Sequence, residues 1–159
     1  MPGFRYTPES TTIAATADLQ LRFAAAHIEH VGLTQGHTFA GAGRTTSLSC
    51  SVLGAVLIGA GEGRVTSGRT YPWHDIRRAR DHALSLLARQ VALHRPAAPP
   101  GWGPEQWDRV LICEWSDTPG RTTAEAARAL GAAADTARRP PAPAHRIPTT
   151  ATVTAPVLF

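Results

Sequence analysis

The 159-residue sequence contains no lysine and no asparagine, so all sixteen of its basic residues are arginine. Twelve acidic residues leave a formal net charge of +4, which permits contact with an anionic partner without identifying one. Nucleic-acid-binding domains usually have a larger excess of positive charge, concentrated on one face. The missing lysine also excludes a P-loop, since Gly36 and Gly41 have the spacing of its glycines but Ala42 stands where the lysine is needed.

Metal-binding and disulfide patterns are absent as well. Cys50 and Cys113 are the only cysteines, too few for a disulfide framework. The seven histidines form no HExxH motif, and no pair of cysteines has zinc-finger spacing. We therefore expect neither a metal site nor a cofactor.

The sequence has no hydrophobic run long enough to cross a membrane. The longest, residues 52–60, would cover about half of the hydrocarbon thickness. The first twelve residues are polar, include Pro2, Gly3 and Pro8, and do not resemble a signal peptide. We therefore expect a cytoplasmic protein with reduced thiols and no membrane partner.

What the sequence does contain is helical periodicity and clear helix-ending signals. Gly32 is placed to end the first helix, and Thr122 with Glu125 has the spacing of a capping box. Ser47 or Ser49 is positioned to cap a helix that begins at Cys50, although so short an apolar run could also be a buried strand. The pattern predicts helices at 18–31, 50–59, 72–94, 104–115 and 122–137.

These elements predict a mainly α fold, a compact bundle of four to five helices. The Gly-, Thr- and Ser-rich segment 34–48 is expected to be a loop, with a short β-hairpin as the open alternative. We expect residues 1–11 to be a flexible N-terminus, 12–138 the helical domain, and 139–159 a disordered proline-rich tail available to a partner. Gly54 and Gly59 would let a neighbouring helix approach closely. Arg80 falls within the apolar stripe of the third helix, so it must either extend to the edge or pair with a carboxylate.

Four short patterns occur in a characteristic order along the chain. They are Leu21-x-x-Ala24-Ala25-x-x-Ile28, Gly32-x-x-Gln35-Gly36, Cys50-x-x-x-Gly54-Ala55, and Trp115-Ser116-Asp117-Thr118-Pro119-Gly120-Arg121-Thr122 with Glu125. The series resembles a family of small actinobacterial and phage domains of unknown function, over about residues 18–137. The sequence departs from that family at Ser116, where asparagine is usual, and in its longer proline-rich tail. The resemblance implies domain boundaries and no particular chemistry.

Cys50 is the candidate for catalysis. A thiol at a helix N-terminus is favoured as the thiolate, and His37 or His74 as base with Asp117 or Asp75 as orienting carboxylate would complete a Cys-His hydrolase or transferase. No signature of such an enzyme family surrounds the cysteine. The competing interpretation is a small buried residue that packs against the face of Gly54.

Aromatic and basic residues are the candidates for binding. Trp107 and Trp115 could form a recognition surface, or could close the core beneath a tight turn in which Asp117 accepts backbone N–H groups and Arg121 pairs with a carboxylate. Arg78 and Arg89 could follow phosphates or form a solvated helix face.

Taken together, the sequence favours a small non-enzymatic binding or regulatory module with a protein partner. The alternatives are a Cys50-dependent enzyme and a nucleic-acid-binding protein that uses the arginines of the third helix.

Overall fold

The computed structural model describes residues 6–7, 12–64 and 70–139. Within these ranges the chain forms five α-helices and a two-stranded antiparallel sheet, which confirms the mainly α prediction. The elements are α1 Ala17–Val31, β1 Phe39–Ala40, β2 Ser49–Cys50, α2 Val52–Gly59, α3 Trp73–Val91, α4 Pro104–Ser116 and α5 Thr123–Arg138. Apart from Tyr6, Thr7 and Arg139, the expected flexible N-terminus (1–11) and disordered tail (139–159) lie outside or at the edge of the described residues.

Helix α2 lies at the centre of the core. All eight of its residues are buried, as expected for a segment that is apolar on every side. Helix α1 packs against both α2 and α5, while α3 packs against α4 and α5. No helix among the described residues combines the length and the apolar character needed to cross a membrane.

Two glycines allow the backbone to approach α2 closely. A Cβ atom on Gly59 would lie 2.6 Å from the carbonyl oxygen of Gln20 in α1, so the predicted close approach of a helix is confirmed there. A Cβ atom on Gly54 would lie 2.5 Å from the carbonyl oxygen of Thr38, which belongs to the segment before β1 and not to a helix. Both distances are well below normal contact, so these positions require glycine.

The predicted start of α2 was wrong. The helix begins at Val52 rather than Cys50, and Ser51, not Ser47 or Ser49, caps it by accepting a hydrogen bond from the Gly54 amide at 3.1 Å. Cys50 is unavailable to the helix because its amide donates to Gly32 O (3.2 Å) and its carbonyl accepts from Thr34 N (2.9 Å). The hairpin left open for 34–48 is present, with β2 falling just beyond that range and pairing Cys50 with Phe39.

The other helix ends follow from local contacts. The capping box of α5 is confirmed: Thr122 N donates to Glu125 Oε2 (2.8 Å), and Glu125 N donates to Thr122 Oγ1 (3.2 Å). Helix α3 ends at Val91, three residues before its predicted end, and an exposed segment then leads to α4. Helix α4 begins at Pro104, as predicted, and continues one residue further than expected.

Candidate functional site

Two motif segments that are distant in sequence are joined by hydrogen bonds. Gln35 Nε2 donates to the carbonyl oxygens of Ser116 (3.0 Å) and Thr118 (2.7 Å). The Gly36 amide donates to Asp117 Oδ1 at 2.8 Å. We call residues 33–36 together with 115–123 the motif latch. It fastens the segment after α1 to the turn between α4 and α5.

Other polar groups of the motif latch also form contacts. Ser116 Oγ accepts a long hydrogen bond from Val52 N (3.4 Å), which links the latch to the start of α2. The Arg121 guanidinium lies 3.9 Å above the centre of the Trp115 ring, its Nε donates to Trp115 O, and its Nη1 pairs with Glu125 at 3.6 Å. These contacts give the Trp-to-Thr pattern a structural use.

We expect the domain to lose stability when the side-chain amide of Gln35 is removed from the motif latch. Gln35→Ala should lower the free energy of unfolding by about 1–2 kcal/mol, because two carbonyls lose their donor and two loops lose a tie. Gln90→Ala, which removes an exposed glutamine from the last turn of α3, is the matched control and should change stability by less than about 0.5 kcal/mol. Urea denaturation measures both. Equal stability of the two variants would show that the hydrogen bonds of Gln35 do not hold the latch.

The structure places Cys50 where a reactive thiol is disfavoured. Its side chain is fully buried in β2, and burial raises the pKa of the thiol to about 12. The expected position at a helix N-terminus is therefore corrected, and with it the expected activation of the thiolate. Asp117 contacts the loop that carries His37, whereas His74 lies in the first turn of α3; both histidines are exposed.

The arginines of α3 do not form a uniformly positive face. Arg78 and Arg89 are both exposed, but Arg78 lines an open groove of about 650 Å³ together with Asp18, Asp75 and His82. Two carboxylates in the same groove offset the arginine. The nucleic-acid alternative stays a prediction.

The two candidate tryptophans lie in different environments. Trp115 lies beneath Arg121, while the Trp107 ring meets that of Trp102 edge-on, with the ring centres 6.0 Å apart. Eight residues of α4 separate Trp107 from Trp115, a rise of about 12 Å along the helix. A recognition surface that includes both tryptophans stays a prediction.

Trp107 is half-buried, and its ring contacts that of a more exposed tryptophan, Trp102, which sequence reasoning missed. Leu93 is 85% exposed and Trp102 is 41% exposed, both in the proline-rich segment between α3 and α4. We call Leu93, Trp102 and Trp107 the Trp102 surface. The sequence held one signal of this surface: two large apolar residues, Leu93 and Trp102, in a segment that otherwise has the composition of a linker.

The segment that carries this surface is held in place at several points. Trp107 Nε1 donates to Pro96 O at 2.9 Å, and Trp102 N donates to Pro99 O at 3.1 Å. Arg95 forms an ion pair with Asp108, whose side chain is buried. The backbone contacts and the ion pair together fix an irregular segment and present its apolar side chains outward.

A buried polar cluster on α1 was also missed by the sequence. His27 is fully buried, and its Nδ1 is hydrogen-bonded to the hydroxyl of Tyr6 at 2.7 Å. Its Nε2 has no hydrogen-bond partner among the described residues. Burial, with added repulsion from His30 and Arg64, lowers the pKa of His27 to about 4, so the imidazole is neutral at pH 7. The local sequence around His27 does not set it apart from the other histidines, because its hydrogen-bond partner Tyr6 lies 21 residues away.

Metal binding finds no support among the side chains that the structure describes. In residues 6–7, 12–64 and 70–139, no three histidine, cysteine, aspartate or glutamate side chains lie close enough to hold a metal ion.

Comparison with known proteins identifies a family. No curated protein and no solved structure matches the chain. A family of unknown function, DUF6197, matches residues 12–136, from just before α1 to the last turn of α5. This range contains the motif latch and the Trp102 surface, and it confirms the expected membership in a domain family of unknown function. The chain belongs to the DUF6197 family.

Proposed function

We propose that this domain is a small non-enzymatic binding module that contacts a protein partner through the Trp102 surface. The observation that carries the proposal is the exposure of Leu93 and Trp102 in a segment held by hydrogen bonds. Tryptophan is enriched among the residues that contribute most to protein–protein binding. A segment that is already ordered loses less conformational entropy when it binds.

The charges around the surface indicate the chemistry of the partner. Arg95 and Asp108 neutralise each other, while Arg89 and Arg109 flank the segment without forming ion pairs to other described residues. Glu105 is the one acidic side chain of the first turn of α4. The surroundings are therefore net positive, and they fit a partner with apolar side chains flanked by acidic groups.

The two alternatives receive less support from the described residues. A Cys50-dependent enzyme needs a thiolate, whereas this thiol is buried with a raised pKa. A nucleic-acid-binding face on α3 needs clustered positive charge, whereas Asp75 and Asp81 are interspersed among its arginines. An affinity for DNA or RNA that falls steeply with rising salt would favour the nucleic-acid alternative over the protein partner.

Removal of the two most exposed side chains of the surface tests the proposal. A benzophenone side chain at position 93 of the full chain would first trap the partner in cells of the native host. With that partner purified, Leu93→Ser combined with Trp102→Ala should weaken binding by at least about 30-fold in calorimetric titration. Because Leu93 is mostly exposed and Trp102 is partly exposed outside the core, the melting temperature should fall by a few degrees.

Leu19→Ser is the matched control, since Leu19 is a surface leucine of α1, 39% exposed, outside the Trp102 surface. It should leave the affinity unchanged. The proposal is overturned if the control weakens binding as much as the double variant, or if neither does. Sedimentation of the domain alone tests self-association: a dimer that the double variant dissolves would assign the surface to a second copy of this chain instead.

A further inference from the structure

A second candidate site, separate from the Trp102 surface, is a cleft between the end of α2 and the beginning of α3. Its volume is about 240 Å³. Leu57 and Ile76, both buried, contribute apolar surface to it, and Trp73 contributes an aromatic ring. A cavity of about 150 Å³ is enough to hold benzene, so this cleft has room for one ring and a substituent.

Trp73 is suited to stack on a planar group. It is 39% exposed, which leaves part of the ring open to solvent. The ring of Tyr71 lies beside it, with the ring centres 5.4 Å apart and the ring planes tilted by 45°. An indole in this position offers a flat apolar surface.

Arg77 and Arg80 add positive charge to the same cleft. Arg77 is exposed and forms no ion pair with any residue that the structure describes. The side chain of Arg80 is 27% exposed, and its Nε and Nη2 both donate to a single oxygen of Asp81, at 2.9 and 2.8 Å. Its Nη1 protons remain for another acceptor. Asp81 offsets the charge of Arg80, and Glu62 is the one carboxylate among the described lining residues, so Arg77 is the lining arginine that no described carboxylate pairs with directly.

Arg80 conflicts with the pattern of its helix. It lies one turn after Ile76 on the side of α3 that otherwise faces the core, where an arginine is uncommon. The ion pair with the neighbouring Asp81 engages only part of the guanidinium. An anionic ligand in the cleft would accept hydrogen bonds from the part of the Arg80 guanidinium that Asp81 leaves unengaged.

We infer that this cleft binds a small molecule that combines a planar apolar ring with one anionic group, a carboxylate or a phosphate. The ring of the ligand lies against the indole of Trp73 and above Leu57 and Ile76. The anion lies between Arg77 and Arg80, where guanidinium groups can donate paired hydrogen bonds to two of its oxygens.

Four probes test the two halves of this ligand on the full chain. Phenyl phosphate and phenylacetate carry both the ring and the anion, whereas phenol and inorganic phosphate each carry one. In ¹H–¹⁵N correlation spectra, the first two should shift the amides of Trp73 to Arg80 with dissociation constants on the order of 1 mM or below. Phenol and inorganic phosphate should bind at least about 10-fold more weakly. The ratio between phenyl phosphate and phenylacetate shows which anion is preferred.

Charge removal identifies the anion-binding groups. Arg77→Gln should weaken phenyl phosphate binding by about 5-fold or more and leave the weak binding of phenol unchanged. Arg80→Gln should have the same effect. If the Arg80 variant does not fold, the Arg77 variant alone still tests the inference, because Arg77 is exposed and its replacement should not disturb folding. Arg89→Gln, an exposed arginine at the other end of α3, is the matched control and should bind like the unmodified chain. The inference is overturned if Arg77→Gln and Arg89→Gln bind alike, if all four probes bind equally, or if the shifts fall outside the cleft.

Discussion

Alanine in place of Gly59 is expected to lower the free energy of unfolding by about 2–4 kcal/mol. The added Cβ atom would lie 2.6 Å from the Gln20 carbonyl oxygen, which belongs to the backbone of α1. A backbone atom cannot move aside as the end of a flexible side chain can, so α1 and α2 would have to separate. That separation would loosen the contact between two central helices of the core.

Gly54→Ala should have an effect of similar size. Its Cβ atom would lie 2.5 Å from Thr38 O and 3.1 Å from the Cβ atom of Cys50, so both the segment before β1 and β2 would be displaced. Urea denaturation of both variants at constant pH measures the losses.

Gly131→Ala is the matched control for these two substitutions. Gly131 lies inside α5, and apart from its chain neighbours and the adjacent backbone of its own helix, no heavy atom of the described residues lies within 4 Å of the position that its Cβ would occupy. Alanine there should raise stability by about 0.5–1 kcal/mol, since it favours the helix without a clash. If Gly59→Ala were as stable as Gly131→Ala, the close packing of α1 on α2 would be contradicted.

Acid should destabilise the domain through His27. The pKa of this imidazole is about 4 in the folded chain, lowered first by burial and then by His30 and Arg64, against 6.5 as its ordinary value. The unfolded chain therefore takes up this proton at higher pH than the folded chain does. The stability that the neutral imidazole contributes is fully present above pH 6.5 and is lost as the pH falls towards 4, by about 2–3 kcal/mol in total.

Comparison with His27→Gln separates this loss from the titration of carboxylates. The free energy of unfolding, measured at pH 7, 6, 5 and 4, should fall by about 2–3 kcal/mol more in the unmodified chain than in His27→Gln. His94→Gln, which replaces an exposed histidine, should retain the full pH dependence. If His27→Gln does not fold, NMR titration of the unmodified chain reports the pKa directly. Parallel pH profiles of the unmodified chain and His27→Gln, or an NMR pKa near 6.5, would contradict a buried neutral His27.

The helices could be predicted because their signals are local. The periodicity of α3 and the capping box of α5 each depend on residues within a few positions of one another. The start of α2 could not be predicted in this way. Cys50 is held out of the helix by hydrogen bonds with Gly32 and Thr34, which the local pattern around residue 50 does not reveal.

The candidate site was predicted less well for the same reason. Trp107 was identified, but its partner Trp102 lies in a proline-rich segment whose composition indicates a linker. The environment of His27 depends on Tyr6, 21 residues away. Arg80 was recognised as a conflict because its position in the apolar stripe is a local feature. The cleft beside it appears only once α2 and α3 are packed together.

The motif latch and the Trp102 surface have separate roles, one in stability and the other in partner binding. In the motif latch, hydrogen bonds of Gln35 and Asp117 join the loop after α1 to the turn before α5. The Trp102 surface is exposed and contributes little to the core. Damage to the latch should therefore lower stability, and damage to the surface should lower binding.

The most direct test measures partner affinity and melting temperature on the same two preparations, Gln35→Ala and the double variant Leu93→Ser, Trp102→Ala. We expect Gln35→Ala to melt several degrees lower yet to bind normally well below its transition, whereas the double variant melts within a few degrees of the unmodified chain and binds its partner at least about 30-fold more weakly. Normal binding by the double variant, with binding lost in folded Gln35→Ala, would place the contact surface at the motif latch and contradict binding through the Trp102 surface.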